Sequence, residues 1–307
     1  MPVNTEIRIG DTVFKNPVFV ASGTFGYGTE TDDLICADKL GAIVTKSITF
    51  HPREGNPPPR IVETPSGMIN SIGLANLGVE KFTAEILPLY DSMNTEVIVN
   101  IAGTTVEEYL KVLEKVESVP NRVCGYEINI SCPNVARGGI EFGVDPEITR
   151  SLTAQLRERT DRLLIMKLSP NVTDIVEIGR AAEDAGADAL SAINTVIGMS
   201  IDIASRRSSI ATELGGLSGP AIRPVGIASV YRLSRAAGIP VIGIGGITSG
   251  RDAVEYLLAG SIGIQVGTAN LRDPGIALVI LDELISYCQK QGIESVSLLT
   301  GAMDEAS

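Results

Sequence analysis

Eight short apolar runs, each followed by a segment with helical periodicity, constrain the fold of this chain more than any other feature. Runs rich in Val, Ile and Ala that alternate with helical segments are typical of βα units around a parallel sheet. Eight such units predict a TIM barrel, and we expect residues 1–307 to form a single domain. The predicted strands are residues 18–22, 42–47, 97–102, 123–130, 163–168, 189–194, 241–245 and 262–267.

A doubly wound open sheet is the alternative fold, and it usually carries a Gly-rich fingerprint after its first strand. Gly23, Gly26 and Gly28 do follow the first predicted strand. Their spacing is G-x-x-G-x-G, which is not the dinucleotide-binding pattern. We therefore interpret these glycines as places where the backbone approaches something closely.

Local signals fix several element boundaries. Thr105, Asp145 and Ser249 each precede a helical segment and are good N-cap residues. Residues 6–14 predict a hairpin that turns at Gly10-Asp11, ahead of the first strand, where it is placed to plug the bottom of the barrel.

Two long connections, residues 50–78 and 197–219, interrupt the regular alternation. Connections of this length in a compact barrel usually serve as lids or binding loops, because structureless connections are normally short. Both leave the same face of the predicted barrel as Cys132.

Composition excludes several classes of function. A formal net charge of -12 argues against a nucleic-acid surface, which requires a basic stripe. Four scattered cysteines without a C-x-x-C pair predict neither a disulfide scaffold nor a zinc or iron–sulfur site, so we expect no metal. His51 is the only histidine, and we interpret it as a loop residue.

The sequence also bears on the location of the protein. No apolar run is long enough to cross a bilayer, and the first residues lack a signal-peptide pattern, so we expect a cytoplasmic protein.

The run from Asn129 to Asn134, Asn-Ile-Ser-Cys-Pro-Asn, is the strongest indication of chemistry. It places the Cys132 thiol and two side-chain amides at the end of a buried strand, where Pro133 stops further pairing. A cysteine packed in the core is the alternative explanation, since free cysteines are usually buried. The flanking amides favour a functional site, because a core position has no use for several hydrogen-bonding groups.

All eight predicted strands end in polar residues or glycine, as expected where a barrel carries its active site. Lys46 and Lys167 end two buried strands, and a lysine is almost never buried without a partner. The strand ends, in order, are Ser22-Gly23, Thr45-Lys46-Ser47, Asn100, Asn129 with Cys132, Lys167, Asn194-Thr195, Gly245-Gly246 and Gly267-Thr268.

The last two strand ends predict a phosphate site. Gly245-Gly246 leads into a helix and Gly267-Thr268 ends the eighth strand, so both offer backbone N–H groups to an anion. Such a phosphate belongs either to a substrate or to flavin mononucleotide (FMN). The two lysines favour FMN, because a cation near the pyrimidine end of the flavin stabilises the reduced ring.

These residues resemble the type 1 dihydroorotate dehydrogenases of pyrimidine synthesis, most closely the catalytic subunits of the NAD-dependent type 1B class, over essentially the whole chain. The motifs are Ala21-Ser22-Gly23-Thr24-Phe25-Gly26, Thr45-Lys46-Ser47, Asn70-Ser71-Ile72-Gly73-Leu74, Asn129 to Asn134, Ile193-Asn194-Thr195, Leu217-Ser218-Gly219-Pro220 and the two glycine-containing strand ends.

The resemblance implies a role for each matching position. It makes Cys132 the base that removes the C5 proton of dihydroorotate while hydride passes from C6 to FMN. The implied substrate-binding residues are Lys46, Asn70, Ser71, Ile72, Gly73, Leu74, Asn129, Asn194 and Thr195. The implied FMN-binding residues are Ser22, Lys46, Ser47, Asn100, Asn129, Lys167, Ile193, Gly219, Gly245, Gly246, Gly267 and Thr268.

The same resemblance implies a partner, because the chain has no second cofactor motif to carry electrons onward. In type 1B the partner subunit holds FAD and a [2Fe–2S] cluster and passes electrons to NAD, and a homodimer of catalytic chains forms the core of a 2+2 heterotetramer. A type 1A enzyme, which reduces fumarate without a partner, is the alternative. Cys132 disfavours the membrane-bound type 2 class, which uses a serine base. A flavin barrel that reduces uracil rings in tRNA and a noncatalytic flavin- or phosphate-binding barrel are further alternatives.

Overall fold

Eight parallel strands close into a barrel in the computed structural model, which describes residues 2–30, 35–131, 133–134 and 140–304. We number the barrel strands β1 to β8; each pairs with the next, and β8 pairs with β1. The predicted TIM barrel is therefore confirmed, and the open-sheet alternative is wrong. The strands are β1 (Val18–Val20), β2 (Ala42–Val44), β3 (Glu96–Ile101), β4 (Gly125–Asn129), β5 (Leu163–Leu168), β6 (Ala189–Ala192), β7 (Val241–Ile244) and β8 (Ser261–Val266).

The helices surround this barrel, and three of them begin where the sequence predicted. The Thr105 hydroxyl accepts a hydrogen bond from Glu108 N–H, Asp145 accepts from two N–H groups, and Ser249 accepts from Asp252 N–H. None of the helices in the described ranges is long and apolar enough to span a membrane. The α-helices are α1 (Val79–Lys81), α2 (Val106–Glu117), α3 (Pro146–Arg157), α4 (Ile175–Asp184), α5 (Arg223–Ala236), α6 (Gly250–Leu258) and α7 (Ile276–Gln291).

Two connections depart from the regular βα pattern. Within the described residues, only a 3₁₀ turn, Ala37–Lys39, lies between β1 and β2. After β2, α1 continues as a π-helical segment, Phe82–Ile86, and then as a 3₁₀ segment, Leu87–Ser92. Pro88 has no N–H to donate to the preceding turn, which explains why an α-helix cannot continue there. The shorter 3₁₀ segments elsewhere are Phe142–Val144, Pro220–Ile222, Thr268–Leu271 and Val296–Leu299.

The N-terminal hairpin closes the bottom of the barrel, as predicted. Its strands, Ile7–Ile9 and Thr12–Phe14, pair antiparallel around the Gly10-Asp11 turn. Phe14 is fully buried, and its ring lies 4.8 Å from the ring of Phe19, which belongs to β1. The hairpin residues join the apolar cluster that fills the lower half of the barrel.

The two long connections pair with each other over the opposite end of the barrel. Four antiparallel strands form one sheet, in the order Val196–Gly198, Gly215–Ser218, Gly67–Asn70, Ile61–Thr64; we call it the capping sheet. The sequence indicated binding loops here but not a sheet. Two smaller antiparallel pairs lie outside it: Ile201–Asp202 with Arg207–Ser208, and Pro133–Asn134 with Ile140–Glu141.

Candidate active site

A cavity of about 350 Å³ opens between the carboxyl ends of the barrel strands and the capping sheet. It collects predicted residues from seven of the eight strand ends, all but that of β3. The predicted residues in its wall are Ser22, Lys46, Ser47, Asn70, Ile72, Leu74, Asn129, Lys167, Ile193, Asn194, Thr195, Gly219, Gly245, Gly246, Gly267 and Thr268.

At one end of the cavity, two backbone segments, at Gly219 and at Gly245-Gly246, lie very close to each other. Gly219, Gly245 and Gly246 all have positive φ angles, which are strained for residues with a side chain. A Cβ atom on Gly246 would lie 2.7 Å from the carbonyl oxygen of Gly219. This end also lies beside the start of α6, which carries a partial positive charge, so the strand ends suit a phosphate.

Side-chain hydrogen bonds hold this end in shape. The Tyr256 hydroxyl donates to the carbonyl oxygen of Gly245 over 2.7 Å, and Thr268 Oγ1 donates to Ser218 Oγ over 2.8 Å. Asp252 is almost completely buried, and it accepts hydrogen bonds from the N–H and hydroxyl groups of Thr248, each over 2.8 Å. Arg223 forms an ion pair with the same carboxylate.

Side-chain amides form a second part of the cavity wall. Asn194 Nδ2 donates to Asn129 Oδ1 over 3.1 Å, and Asn70 Nδ2 donates to the carbonyl oxygen of Gly216 in the capping sheet over 3.3 Å. The Tyr109 hydroxyl donates to the carbonyl oxygen of Asn129 over 2.7 Å. Amide groups held in this way present both donors and acceptors to a planar ligand.

Two lysines give the cavity its positive charge. Burial lowers the pKa of Lys46, Glu30 acts in the opposite sense, and Arg60 adds to the lowering. Lys167 is 6% exposed, and its Nζ lies 3.5 Å from Glu127 Oε1. The cavity therefore combines an anion-binding end, two cations and a set of amides.

Three predicted site residues do not lie in the cavity wall. Asn100 is fully buried below it and donates its amide N–H to Glu127 over 2.7 Å. Ser71 and Gly73 alternate with the wall residues of the same loop, where the Ser71 hydroxyl accepts a hydrogen bond from Asn56 over 2.7 Å.

Cys132 and the side chain of Asn134 lie outside the described residues, so the thiol's role stays a prediction. Ser131 is described, and its N–H donates to Asn129 Oδ1 over 3.3 Å. None of the three described cysteines lies in the cavity wall. Cys36 is exposed, and burial raises the pKa of the thiols of Cys124 and Cys288.

The sequence interpretation missed the polar layer under the cavity. Glu127, Ser191 and Gln265 are completely buried, and they form a hydrogen-bonded group inside the barrel. A carboxylate in the middle of the apolar run 123–130 was the available signal, because an acidic residue is rarely buried unless it is paired.

The described residues fit FMN. The backbone at Gly219, Gly245 and Gly246 packs too closely for a side chain at Gly246, and it lines the cavity where a phosphate would bind. Asn100, below the cavity wall, keeps its Oδ1 as a buried acceptor without a partner among the described residues, which suits a ring that brings its own N–H. No group of three or more His, Cys, Asp or Glu residues in the described ranges could hold a metal ion.

Comparisons with known proteins agree with this geometry. A family model described as dihydroorotate dehydrogenase matches residues 5–287. The chain is 50% identical over 298 residues to a protein of Geotalea uraniireducens named dihydroorotate dehydrogenase B (NAD(+)), catalytic subunit, and the match covers 97% of each chain. A protein of the same name from Pelobacter propionicus is 49% identical over 304 residues, covering 99% of this chain and all of its relative.

A solved structure shares the fold. The crystal structure of the Eimeria tenella enzyme, in complex with ferulenol, superimposes with a TM-score of 0.81 and 23% identity, covering 97% of this chain and 88% of that one. From the family model and the relatives, the chain belongs to the dihydroorotate dehydrogenase family.

Proposed function

We propose that this chain is the catalytic subunit of an NAD-dependent dihydroorotate dehydrogenase, which oxidises dihydroorotate to orotate in pyrimidine synthesis. The observation that carries the proposal is the identity of about half of all residues, over nearly the full length, to proteins named as that catalytic subunit. The cavity supports it, since it joins a phosphate cradle to an amide-lined pocket.

FMN bound in the cavity would accept the hydride that leaves dihydroorotate. The chain's own residues would hold the two molecules. Gly219, Gly245, Gly246, Gly267 and Thr268 would bind the phosphate, because their backbone surrounds that end of the cavity. The remaining predicted contacts to FMN would come from Ser22, Lys46, Ser47, Asn100, Asn129, Lys167 and Ile193.

The substrate would lie against the amide-lined part of the cavity wall. Asn70, Asn129 and Asn194 would hydrogen-bond its ring, and Lys46 would attract its carboxylate. Thr195 and the loop of Ser71, Ile72, Gly73 and Leu74 would complete the pocket. Cys132 would remove the C5 proton, and the capping sheet would help to exclude water from the site.

The electrons would leave through a partner subunit carrying FAD and a [2Fe–2S] cluster. The relatives support a partner, because each is named as a catalytic subunit. A homodimer within a 2+2 assembly is supported by exposed apolar side chains in the connection from β6 to α5. Their exposed fractions are Ile197 54%, Met199 49%, Ile201 57%, Ile203 90% and Leu214 55%.

The reaction is tested by mixing purified protein with dihydroorotate under anaerobic conditions. We expect the yellow flavin absorbance to disappear and orotate to form in equal amount. FMN-loaded protein that dihydroorotate does not bleach would contradict the proposed reaction.

The electron acceptor needs a separate experiment. We expect a tagged chain, purified from its own host, to bring with it a red-brown flavoprotein that supports NAD reduction. A lone yellow dimer that reduces fumarate would favour the type 1A alternative. Light scattering on the isolated chain tests the homodimer, and a monomer at micromolar concentration would contradict it.

A further inference from the structure

Glu127 is a carboxylate in the centre of the barrel that the proposed reaction leaves unused. It belongs to β4 and is 0% exposed. Side chains alternate along a strand, so Glu127 lies one layer below Asn129 in the cavity wall. Ser191 and Gln265 stand in the same relation to Ile193 and Gly267, so this layer supports the floor of the cavity.

Four side chains from four other strands converge on this carboxylate. Asn100 donates to Oε1 over 2.7 Å, and Lys167 Nζ lies 3.5 Å from the same oxygen. Ser191 donates to Oε2 over 2.8 Å and Gln265 over 2.6 Å. A buried charge is costly unless it is paired and hydrogen-bonded, and Glu127 meets both conditions.

The carboxylate fixes which way the two amides point. An ionised carboxylate only accepts hydrogen bonds, so Asn100 and Gln265 must turn their N–H groups toward Glu127. Their carbonyl oxygens, Asn100 Oδ1 and Gln265 Oε1, are consequently buried acceptors without partners among the described residues. Glu127 thus keeps acceptors, not donors, free beneath the cavity.

Glu127 also balances a charge in the cavity wall. In the described part of the chain, it is the only carboxylate within ion-pair distance of Lys167. Lys167 lines the cavity, and Glu127 lies behind it, hidden from the ligand. In a medium of low dielectric constant, a hidden carboxylate weakens the field that a lysine exerts on its surroundings.

We infer that Glu127 is a positioning residue that sets the reduction potential of the bound flavin, by neutralising Lys167 and by fixing the Asn100 and Gln265 amides. The inference rests on the proposed function only in requiring that FMN occupies the cavity. Removing the negative charge leaves Lys167 unbalanced, and an unbalanced cation stabilises the reduced flavin.

The test is the midpoint potential of FMN in Glu127→Gln, measured by spectroelectrochemistry together with the FMN dissociation constant. We expect the reduction equilibrium to favour reduced FMN at least about tenfold more, a positive shift of about 30 mV for two electrons. Glu117→Gln is the matched control. The Glu117 carboxylate also accepts a side-chain hydrogen bond, from the hydroxyl of Tyr126 in β4, but Glu117 belongs to α2, outside the barrel. We expect no shift in the control.

The Lys167→Met background covers a Glu127→Gln protein that folds poorly because Lys167 is left buried without its partner, since the double variant lacks both charges. Lys167→Met should shift the potential in the negative direction, and adding Glu127→Gln should change the reduction equilibrium by less than about tenfold, because the effect through Lys167 is then absent. A shift of about tenfold or more in that background, or FMN-loaded Glu127→Gln with the wild-type potential, would overturn the inference. FMN-loaded wild-type protein that dihydroorotate fails to reduce would instead overturn the proposed function alone.

Discussion

At the scale of single residues, the candidate site contains side chains that line the cavity and backbone conformations that favour Gly. Asn129 and Lys167 line the cavity with side chains that carry an amide and a positive charge. Gly245 and Gly246 contribute by lacking a Cβ atom. Both kinds of residue were recognisable in the sequence, because each lies at or next to the carboxyl end of a buried strand.

Cys132→Ala tests the proposed base. We expect the variant to stay yellow with bound FMN and to lose dihydroorotate oxidation by about 10²–10⁴-fold, since proton removal at C5 no longer has a base. Steady-state turnover and flavin absorbance measure the two properties. Cys36→Ala is the control, because Cys36 is exposed and absent from the cavity wall. Unchanged turnover in Cys132→Ala would rule out the thiol as the base.

Gly246→Ala tests the phosphate cradle. The new Cβ atom would lie 2.7 Å from the Gly219 carbonyl oxygen, so we expect FMN affinity to fall about tenfold or more. Gly292→Ala has the same φ of 69° and nothing within 4 Å of its Cβ atom. Both variants carry the backbone cost of about 1 kcal/mol, but only Gly246→Ala should release FMN. Fluorescence titration of apoprotein with FMN measures the difference.

At the scale of elements, helix starts and strand ends hold the site in place. Thr105 caps α2, and Glu108 in its first turn accepts hydrogen bonds from the N–H and hydroxyl of Thr104, over 2.6 and 2.8 Å. Arg53, in the connection that carries the capping sheet, lies 3.9 Å from the same carboxylate. The Glu108 side chain therefore connects α2 to the connection that carries two strands of the capping sheet.

Glu108→Gln tests this connection through pH. Burial alone would raise the pKa of Glu108, but the Thr104 hydrogen bonds and Arg53 together lower it. A lowered pKa stabilises the fold above the ordinary Glu pKa, and this stability is lost as pH falls through the folded value. We expect Glu108→Gln to lower the free energy of unfolding by about 1 kcal/mol at pH 7 and to have a smaller effect at pH 3. Urea denaturation of the variant and the wild type at both pH values measures the difference in the free energy of unfolding.

Glu107→Gln is the control for that comparison, since the Glu107 side chain is 74% exposed and pairs with Lys111 on the helix surface. We expect it to change stability by less than about 0.5 kcal/mol at either pH. A pH-independent loss in Glu108→Gln would show that packing, not the charge, explains the effect.

At the scale of the whole molecule, the barrel interior divides into an apolar lower half and a polar upper half. The hairpin and Phe19 close the lower half, and Glu127 with its partners forms the upper layer below the cavity. Stability and chemistry are thereby placed at opposite ends, as is usual for this fold.

Phe14→Ala tests the separation. Phe14 is fully buried against Phe19, so we expect a loss of about 3–5 kcal/mol in the free energy of unfolding. The FMN dissociation constant of the folded variant should stay within about twofold of wild type, because the cavity lies at the other end of the strands. Calorimetry and FMN titration separate the two effects, and a large change in FMN affinity would contradict the division.

The sequence by itself determined the eight βα units and the polar end of each strand, because apolar periodicity and capping residues act over a few neighbouring positions. Much of the cavity wall follows from that alone. The first two connections were harder to predict, since Pro88 changes the helix type locally and the segment between β1 and β2 has only a 3₁₀ turn among its described residues.

Only the tertiary structure decided the capping sheet and the polar layer. Asn70 reaches Gly216 across 146 residues of sequence, and Gln265 reaches Glu127 across 138. Such pairs depend on how the barrel closes and which side of each strand faces inward, and no local pattern contains that information. The strand ends could be predicted one by one, but the convergence of Asn100, Ser191 and Gln265 on Glu127 is a property of the closed barrel.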